Sequence, residues 1–167
     1  MNNIEKTDFQ SKDELYDFMN MSLVGLIEEE LDWLANLCNA TALLWQLMDD
    51  INWAGFYLYK NNELVLGPFQ GKVACTHIKI GKGVCGTAAK TLKTQLVQNV
   101  HEFPGHIACD SASNSEIVVP IIKDNRLIGV LDIDSPLMSR FDEKDKVDLE
   151  KFVSNIVKYI KFPEAFI

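Results

Sequence analysis

Two segments in the middle of the chain have the pattern of β-hairpins, and they restrict the possible folds more than any other feature. The first covers residues 53–66 with a turn at 60–62, and the second covers residues 116–134 with a turn at 123–125. Asn and Asp residues fill both turns, as is typical of tight connections between antiparallel strands. A parallel sheet would need regular alternation of strands and helices, which these hairpins interrupt.

Helical patterns lie before and after the hairpins. Ser11 opens a capping-box sequence, and apolar residues then recur at helical spacing in one long region, residues 23–48, with Cys38 on the apolar stripe. Asp142 precedes an amphipathic stretch at residues 149–160, and a glycine-rich turn leads into a short helix that ends near Thr91. We therefore expect one α+β domain over residues 1–167, with residues 1–21 as an N-terminal extension or helix and a long, functional loop at 99–115.

The charge balance excludes several classes of partner. The 167 residues include 16 Lys and Arg against 24 Asp and Glu, which gives a formal net charge of −8. Nucleic acids and anionic membrane surfaces both select basic patches, so we expect neither as a partner. The first residues lack the pattern of a signal peptide, and the most apolar stretch is too interrupted to span a bilayer. We expect a cytoplasmic chain, whose thiols are normally kept reduced.

Acidic residues interrupt two apolar strands. The two-residue period places Ile128, Val130, Asp132 and Asp134 on one face of a strand, and hairpin pairing brings Glu116 to the same end. Adjacent carboxylates repel each other unless a cation or a shared proton lies between them. The cluster predicts a site for a ligand with an ammonium group, in which one protonated carboxyl acts as a donor. The alternative is a turn capped by Asp134 and a solvated Glu116.

Three of the four cysteines fall in loops or at the ends of elements, where a purely structural cysteine is less common. We expect redox or nucleophilic roles for Cys75, Cys85 and Cys109, with simple packing as the alternative, and we expect Cys38 to pack in the core. Cys85 is predicted near a helix N-terminus, which favours the thiolate.

Two further features bear on the site. Trp53 and Tyr57 are four residues apart on one strand, so they share a face and could wall an apolar pocket or fill the core. His77 and His106 lie near cysteines and allow a zinc-binding module as a rival interpretation. Their spacing fits no common zinc pattern, so no metal is predicted.

A cysteine thiolate beside a protonated carboxyl, together with further cysteines that can form a disulfide, suits the thiol-dependent reduction of an oxidised sulfur. The thiolate attacks the sulfur of a sulfoxide while an acid hydrogen-bonds its oxygen. The attacking cysteine becomes a sulfenic acid, and a second cysteine condenses with it to a disulfide that an external dithiol reduces.

Five runs of this sequence, in order, resemble the free methionine-(R)-sulfoxide reductases, a family of enzymes built on a GAF domain. They are INWAGFY (51–57), LGPFQG (66–71), GKGVCG (81–86), GHIACD (105–110) and LDID (131–134). The resemblance covers roughly residues 22–160 and implies a single GAF-like domain with a six-stranded antiparallel sheet and packed helices. It also implies reduction of the free amino acid, electrons from thioredoxin, no metal or flavin cofactor, and a homodimer.

The resemblance also assigns roles that the residues alone leave open. It implies that Cys109 is the nucleophile, that Cys75 is the resolving cysteine and that Cys85 is a third cysteine able to form an alternative disulfide. Glu116, Asp132 and Asp134 would bind the sulfoxide and the amino group, and Trp53 and Tyr57 would surround the terminal methyl. The competing hypothesis is a non-catalytic GAF sensor of a small molecule or of redox state.

Overall fold

The computed structural model describes residue 4 and residues 8–105 and 111–164. Its helices are α1 (Lys12–Ile27), α2 (Trp33–Leu47), α3 (Gly83–Thr91) and α4 (Glu143–Tyr159), and its strands are β1 (Trp53–Lys60), β2 (Glu63–Gly71), β3 (His77–Lys79), β4 (Gln95–Val97), β5 (Ser115–Lys123) and β6 (Arg126–Ser135). The strands form one antiparallel sheet in the order β3-β2-β1-β6-β5-β4. This arrangement confirms the predicted α+β class and the six-stranded sheet.

Both predicted hairpins are present, and their turns follow the expected chemistry. Lys60 pairs with Glu63 around Asn61 and Asn62, which have φ angles of 51° and 64°. The β5–β6 turn has the same form, with Asp124 and Asn125 also at positive φ. Tight hairpin turns of this type need positive φ at both central residues, and Asn and Asp tolerate it.

The sheet buries both of its faces, and each face has its own apolar cluster. One face packs against α1, α2 and α4 in the larger cluster, and the other packs against α3 in a smaller cluster that includes Trp53, Tyr57 and Cys85. Trp53, Tyr57 and Cys85, which the sequence indicates as functional, therefore lie between the sheet and α3. None of the helices within the described ranges is long and apolar enough to cross a bilayer.

The long helical region predicted at residues 23–48 is two helices. Leu23 and Ile27 of the predicted stripe are buried, but the part of the stripe on α2 was wrong. Asp32 accepts a hydrogen bond from the backbone N–H of Ala35 and caps α2, so residues 28–32 separate the two helices. The face of α2 that packs in the core includes Leu37 and Leu44, whereas Cys38 is exposed. Consecutive residues of a helix point about 100° apart, so the burial of Leu37 turns Cys38 towards solvent.

Two other expectations on the strands need correction. Ile128 was expected on the same face as Val130, but Ile121 pairs with Gly129 and Ile122 pairs with Leu127, so Ile128 is an extra residue in β6. This bulge sends Ile128 into the opposite cluster from Val130. The short edge strand β4, which the sequence did not indicate, precedes a 3-10 turn within the predicted long loop.

A buried acidic residue ties α1 to α4. Asp145 is 1% exposed, accepts hydrogen bonds from Tyr16 Oη at 2.8 Å and Lys12 Nζ at 2.6 Å, and accepts another from the backbone N–H of Asp142. Burial and the nearby Asp145 carboxylate raise the pKa of Tyr16, so its hydroxyl remains a donor. This carboxylate is thus a buried polar link between α1 and α4, two of the three helices that cover this face of the sheet.

We expect Asp145→Ala to lower the free energy of unfolding by about 3 kcal/mol, because it leaves the buried Tyr16 hydroxyl without its acceptor and removes half of a buried ion pair. Urea unfolding followed by circular dichroism measures this loss. The matched control is Glu143→Ala, which removes only an exposed pair with Lys146 and should cost less than about 1 kcal/mol. Equal losses in the two variants would contradict the assignment.

Candidate active site

The strand register brings the three predicted acidic residues together. Glu116 on β5 lies opposite Asp134 on β6, and Asp132 lies two residues before Asp134 on the same face. Glu116 and Asp132 are buried, and Asp134 is half-buried. The predicted convergence is confirmed, and the alternative of a solvated Glu116 is wrong.

Cys85 joins this cluster from the opposite side, at the start of α3. Its Sγ lies 3.1 Å from Oδ2 of Asp132 and 3.9 Å from Oε1 of Glu116, and its thiol is the donor in both contacts. Positive φ angles at Gly81 and Gly83 form the turn that places the start of α3 beside the acidic cluster. Cys85 is free and 4% exposed.

Burial dominates the electrostatics of the cluster. Desolvation, followed by the charges of Asp132 and Asp134, raises the pKa of Glu116 well above its usual range. Desolvation also raises the pKa of Asp132 to about 6, against the opposing effect of its hydrogen bonds with Cys85 and Glu116. The cluster therefore holds at least one proton under conditions in which an exposed carboxyl has lost it.

The thiolate expected at Cys85 does not form in this environment. Burial, followed by the negative charges of Asp132 and Glu116, raises the pKa of the Cys85 thiol. A helix N-terminus favours the thiolate by only a modest amount, and desolvation beside carboxylates outweighs it. Cys85 is therefore a thiol that donates hydrogen bonds.

Trp53 and Tyr57 form an aromatic wall, as their spacing predicts. Their rings stack with centroids 5.7 Å apart, and Phe69 stacks on Trp53 at 5.3 Å. Trp53 Nε1 donates to the carbonyl of Lys72 at 3.2 Å, and Tyr57 Oη donates to the carbonyl of Cys75 at 3.0 Å. Sequence reasoning missed Phe69, although it lies in a run that carries the family resemblance.

The wall, the acidic cluster and α3 line a cavity of about 40 Å³ that opens to solvent. Its lining residues are Trp53, Tyr57, Val73, Ala74, Ile78, Lys82, Gly83, Val84, Cys85, Ser113, Glu116, Asp132 and Asp134. Sequence reasoning did not select Lys82, the cationic member of this lining. One carboxylate oxygen, Oδ1 of Asp132, is buried and makes no hydrogen bond within the described part of the chain, which leaves it available to a ligand.

The other cysteines and the histidines occupy separate places. Cys75 is disulfide-bonded and half-buried. The proposed nucleophile Cys109 and the neighbouring His106 lie outside the described residues. His77 pairs with Glu63 at 2.8 Å on the exposed edge of the sheet.

A metal ion would find one compact group of donors in the part of the chain that the structure describes. The ligand atoms of Cys85, Glu116 and Asp132 lie within 4.8 Å of one another. A metal would have to displace the protons that burial favours on these groups, because thiol and carboxyl groups bind metals in their deprotonated forms. The same group serves more directly as a proton donor beside the cavity.

Comparison with known proteins places the chain among enzymes of one type. The GAF domain family matches residues 22–160. The free methionine-R-sulfoxide reductase of Escherichia coli is 49% identical over 150 residues, which cover 90% of this chain and 91% of that protein. The enzyme of the same name from Saccharomyces cerevisiae is 49% identical over 160 residues, covering 91% and 89% of the two chains.

A solved structure agrees with these relatives. The free methionine-R-sulfoxide reductase from Neisseria meningitidis, in complex with its substrate, superposes with a TM-score of 0.92 at 41% identity. The match covers 99% of this chain and 98% of that one. The likeness thus extends over the sheet, the covering helices and the cavity.

We expect the acidic cluster to make stability depend on pH. Folding raises the carboxyl pKa values, so the folded state binds more protons than the unfolded chain and stability falls as pH rises from about 4 through about 6 and beyond. Glu116→Gln removes the part of this loss of stability that arises from ionising Glu116. Urea unfolding should show the variant to be more stable than the parent by at least about 1 kcal/mol at pH 8, with a smaller difference at pH 4.5.

Glu29→Gln is the matched control, because it removes the same charge from an exposed position. It should not reproduce the pH-dependent gain. A Glu116→Gln effect of the same size at both pH values would show that the cluster does not retain a proton.

Proposed function

We propose that this chain, which belongs to the GAF-domain family of free methionine-R-sulfoxide reductases and is therefore an oxidoreductase, reduces free L-methionine-(R)-sulfoxide to L-methionine by a cysteine-based mechanism. The observation that carries this proposal is the buried carboxyl cluster with raised pKa values beside an aromatic wall. A sulfoxide needs a hydrogen-bond donor for its oxygen and an apolar surface for its methyl group, and this cavity offers both.

Each part of the substrate has a complement in the cavity. The Trp53 and Tyr57 rings contact the terminal methyl, and the protonated member of the acidic cluster donates a hydrogen bond to the sulfoxide oxygen. The ammonium group pairs with ionised carboxylates, which Asp134 and Oδ1 of Asp132 supply from the lining of the cavity. Lys82, together with the free amides of the first turn of α3, complements the carboxylate.

The chemistry requires two cysteines and a proton donor. The Cys109 thiolate attacks the sulfoxide sulfur while Glu116 donates a hydrogen bond to the oxygen. Glu116 gives its proton to the oxygen, the oxygen moves from the substrate sulfur to Cys109 Sγ as the transient S–S bond breaks, and methionine leaves with Cys109 as a sulfenic acid. The Cys75 thiol then attacks the sulfenic sulfur, a disulfide forms and the oxygen departs as water.

Two features support Cys75 as the resolving residue. It is disulfide-bonded in the structure, which is the state that the second step produces. Its segment lies against the cavity, because the Tyr57 hydroxyl bonds the Cys75 carbonyl and Ala74 lines the site. The role of Cys109 rests on the family resemblance, since this residue lies outside the described ranges.

The proposal includes a reductant, a compartment and an assembly. An external dithiol such as thioredoxin reduces the disulfide by exchange, and no metal or flavin is needed. Such a cycle suits the reducing cytoplasm. A homodimer is implied by the resemblance, and the exposed apolar residues Leu34 and Trp45 on α2 provide a surface that such an assembly could cover.

The activity is tested by a coupled assay with thioredoxin, thioredoxin reductase and NADPH. We expect NADPH oxidation with free L-methionine-(R)-sulfoxide and none above background with the S epimer, because the wall and the acidic cluster fix the positions of methyl and oxygen. A peptide-bound sulfoxide is the negative control. Equal turnover of the peptide would contradict a free substrate, and tight binding without turnover would indicate a sensor.

The cysteine roles predict different defects for two variants. Cys109→Ser should abolish methionine formation in a single turnover of the reduced protein, because no nucleophile remains. Cys75→Ser should form about one methionine per chain and then stop, since the sulfenic acid has no resolving partner. Quantifying methionine without added reductant tests the first turnover, and the thioredoxin-coupled assay tests the recycling that Cys75→Ser should lose. Cys38→Ser is the control because Cys38 is exposed on α2. Loss of the first turnover in Cys75→Ser would contradict its role.

A further inference from the structure

We propose that Cys85 is a positioning residue, whose thiol donates a hydrogen bond to Asp132 and so decides which of the two buried carboxyls carries the proton. This inference rests on the proposed function and deepens it. The observation that supports it is the distance of 3.1 Å between Cys85 Sγ and Asp132 Oδ2, inside a cluster that is almost fully buried. The family resemblance implies a different role, an alternative disulfide.

The position of Cys85 is fixed by close packing of α3 on the sheet. A Cβ at Gly86 would lie 2.4 Å from the carbonyl oxygen of Lys79 on β3, so only glycine permits this approach. The amide of Gly81 donates to the carbonyl of Gly86 at 2.7 Å and closes the turn before the helix. The thiol is therefore held against Asp132 by backbone contacts.

The neighbouring polar groups show why the thiol of Cys85 is the hydrogen-bond donor to Oδ2 of Asp132. The side-chain donors of Trp53 and Tyr57 on β1 are bonded to backbone carbonyls of residues 72 and 75. The remaining charged groups that line the cavity are Glu116 on β5, Asp134 on β6 and Lys82, which is exposed at the start of α3. Protonated Glu116 also hydrogen-bonds Asp132, and the Cys85 thiol is the donor that lies 3.1 Å from Oδ2 of Asp132.

The hydrogen bond distinguishes two carboxyls that are otherwise alike. It favours the ionised form of Asp132, and together with a hydrogen bond from Glu116 it lowers the pKa of that carboxyl against the rise caused by burial. Burial, the charges of Asp132 and Asp134 and the hydrogen bond to Asp132 raise the pKa of Glu116, whereas its own contact with Cys85 lowers it. Cys85 also contacts Glu116, but at the longer distance of 3.9 Å. The proton is therefore directed to Glu116, which faces the sulfoxide oxygen as a donor, while Asp132 keeps its charge for the ammonium group.

The state of the other cysteines is consistent with this role. Cys75 is disulfide-bonded while Cys85 remains a free thiol. A disulfide at Cys85 would consume the hydrogen that Asp132 accepts, so the two roles exclude each other at any one moment. The contact is thus present while Cys75 is disulfide-bonded, and the proposed role applies whenever Cys85 is a free thiol.

Cys85→Ser and Cys85→Ala separate the two roles, because both remove the sulfur but only Ser keeps a donor. In single-turnover reduction of free L-methionine-(R)-sulfoxide between pH 5 and 9, we expect the Ser variant to stay within about threefold of the parent rate. The Ala variant should lose about tenfold or more, and the acidic limb of its pH profile should move to higher pH. Equal rates in the two variants, impaired or unimpaired, would overturn the proposal.

Two controls keep the outcome clear. Cys38→Ala removes an exposed thiol from α2 and should leave the rate unchanged, and urea unfolding checks that both Cys85 variants are folded. Carboxyl ¹³C NMR of Asp132 gives a second readout that needs no turnover, with a higher apparent pKa expected in the Ala variant than in the parent or Ser variant. If the parent forms no methionine, the proposed function is wrong. If the apparent pKa of Asp132 is the same in the Ala variant as in the parent, only the positioning role is wrong.

Discussion

The burial of mutually repelling carboxyl groups is the constraint on which the site depends. Isolated carboxylates resist burial, so a flexible chain would turn Glu116 and Asp132 towards water. The β5–β6 pairing prevents this, because a slip of one residue would expose the opposite face. That face carries Ile117 and Ile133, which are fully buried in the larger apolar cluster. The apolar core on one side of the sheet therefore holds the acidic cluster on the other and sustains its raised pKa values.

Much of the site could be predicted because a strand has a simple period. The alternation along β6 and the hairpin turn are enough to bring Glu116, Asp132 and Asp134 to one end. The same reasoning failed at Ile128, where a bulge adds a residue without a local sequence signal. It also failed for α2, because apolar residues occupy much of the circumference of that helix and the buried face is chosen by contact with the sheet.

The reactivity of a cysteine could not be predicted from its position in an element. The N-terminal turn of α3 suggested a thiolate at Cys85, but the three carboxyls that oppose it come from distant parts of the chain. Their effect exceeds that of the helix end, because charges count more strongly where water is excluded. Cys38 shows the converse, since it was expected in the core and lies on an exposed helix face. Tertiary contacts, rather than local pattern, separate the chemistry of these thiols.

The aromatic wall joins recognition to redox chemistry. The apolar bodies of Trp53 and Tyr57 face the cavity, and their polar atoms hold the segment that contains Cys75 through the carbonyls of Lys72 and Cys75. Burial, followed by the charge of Asp132, also raises the pKa of Tyr57, so its hydroxyl stays a donor. A ligand that contacts these rings therefore contacts a surface that is hydrogen-bonded to the backbone of Cys75, which we propose as the resolving cysteine. In the proposed mechanism, the same two side chains thus fix both the methyl end of the substrate and the position of the cysteine that completes the disulfide.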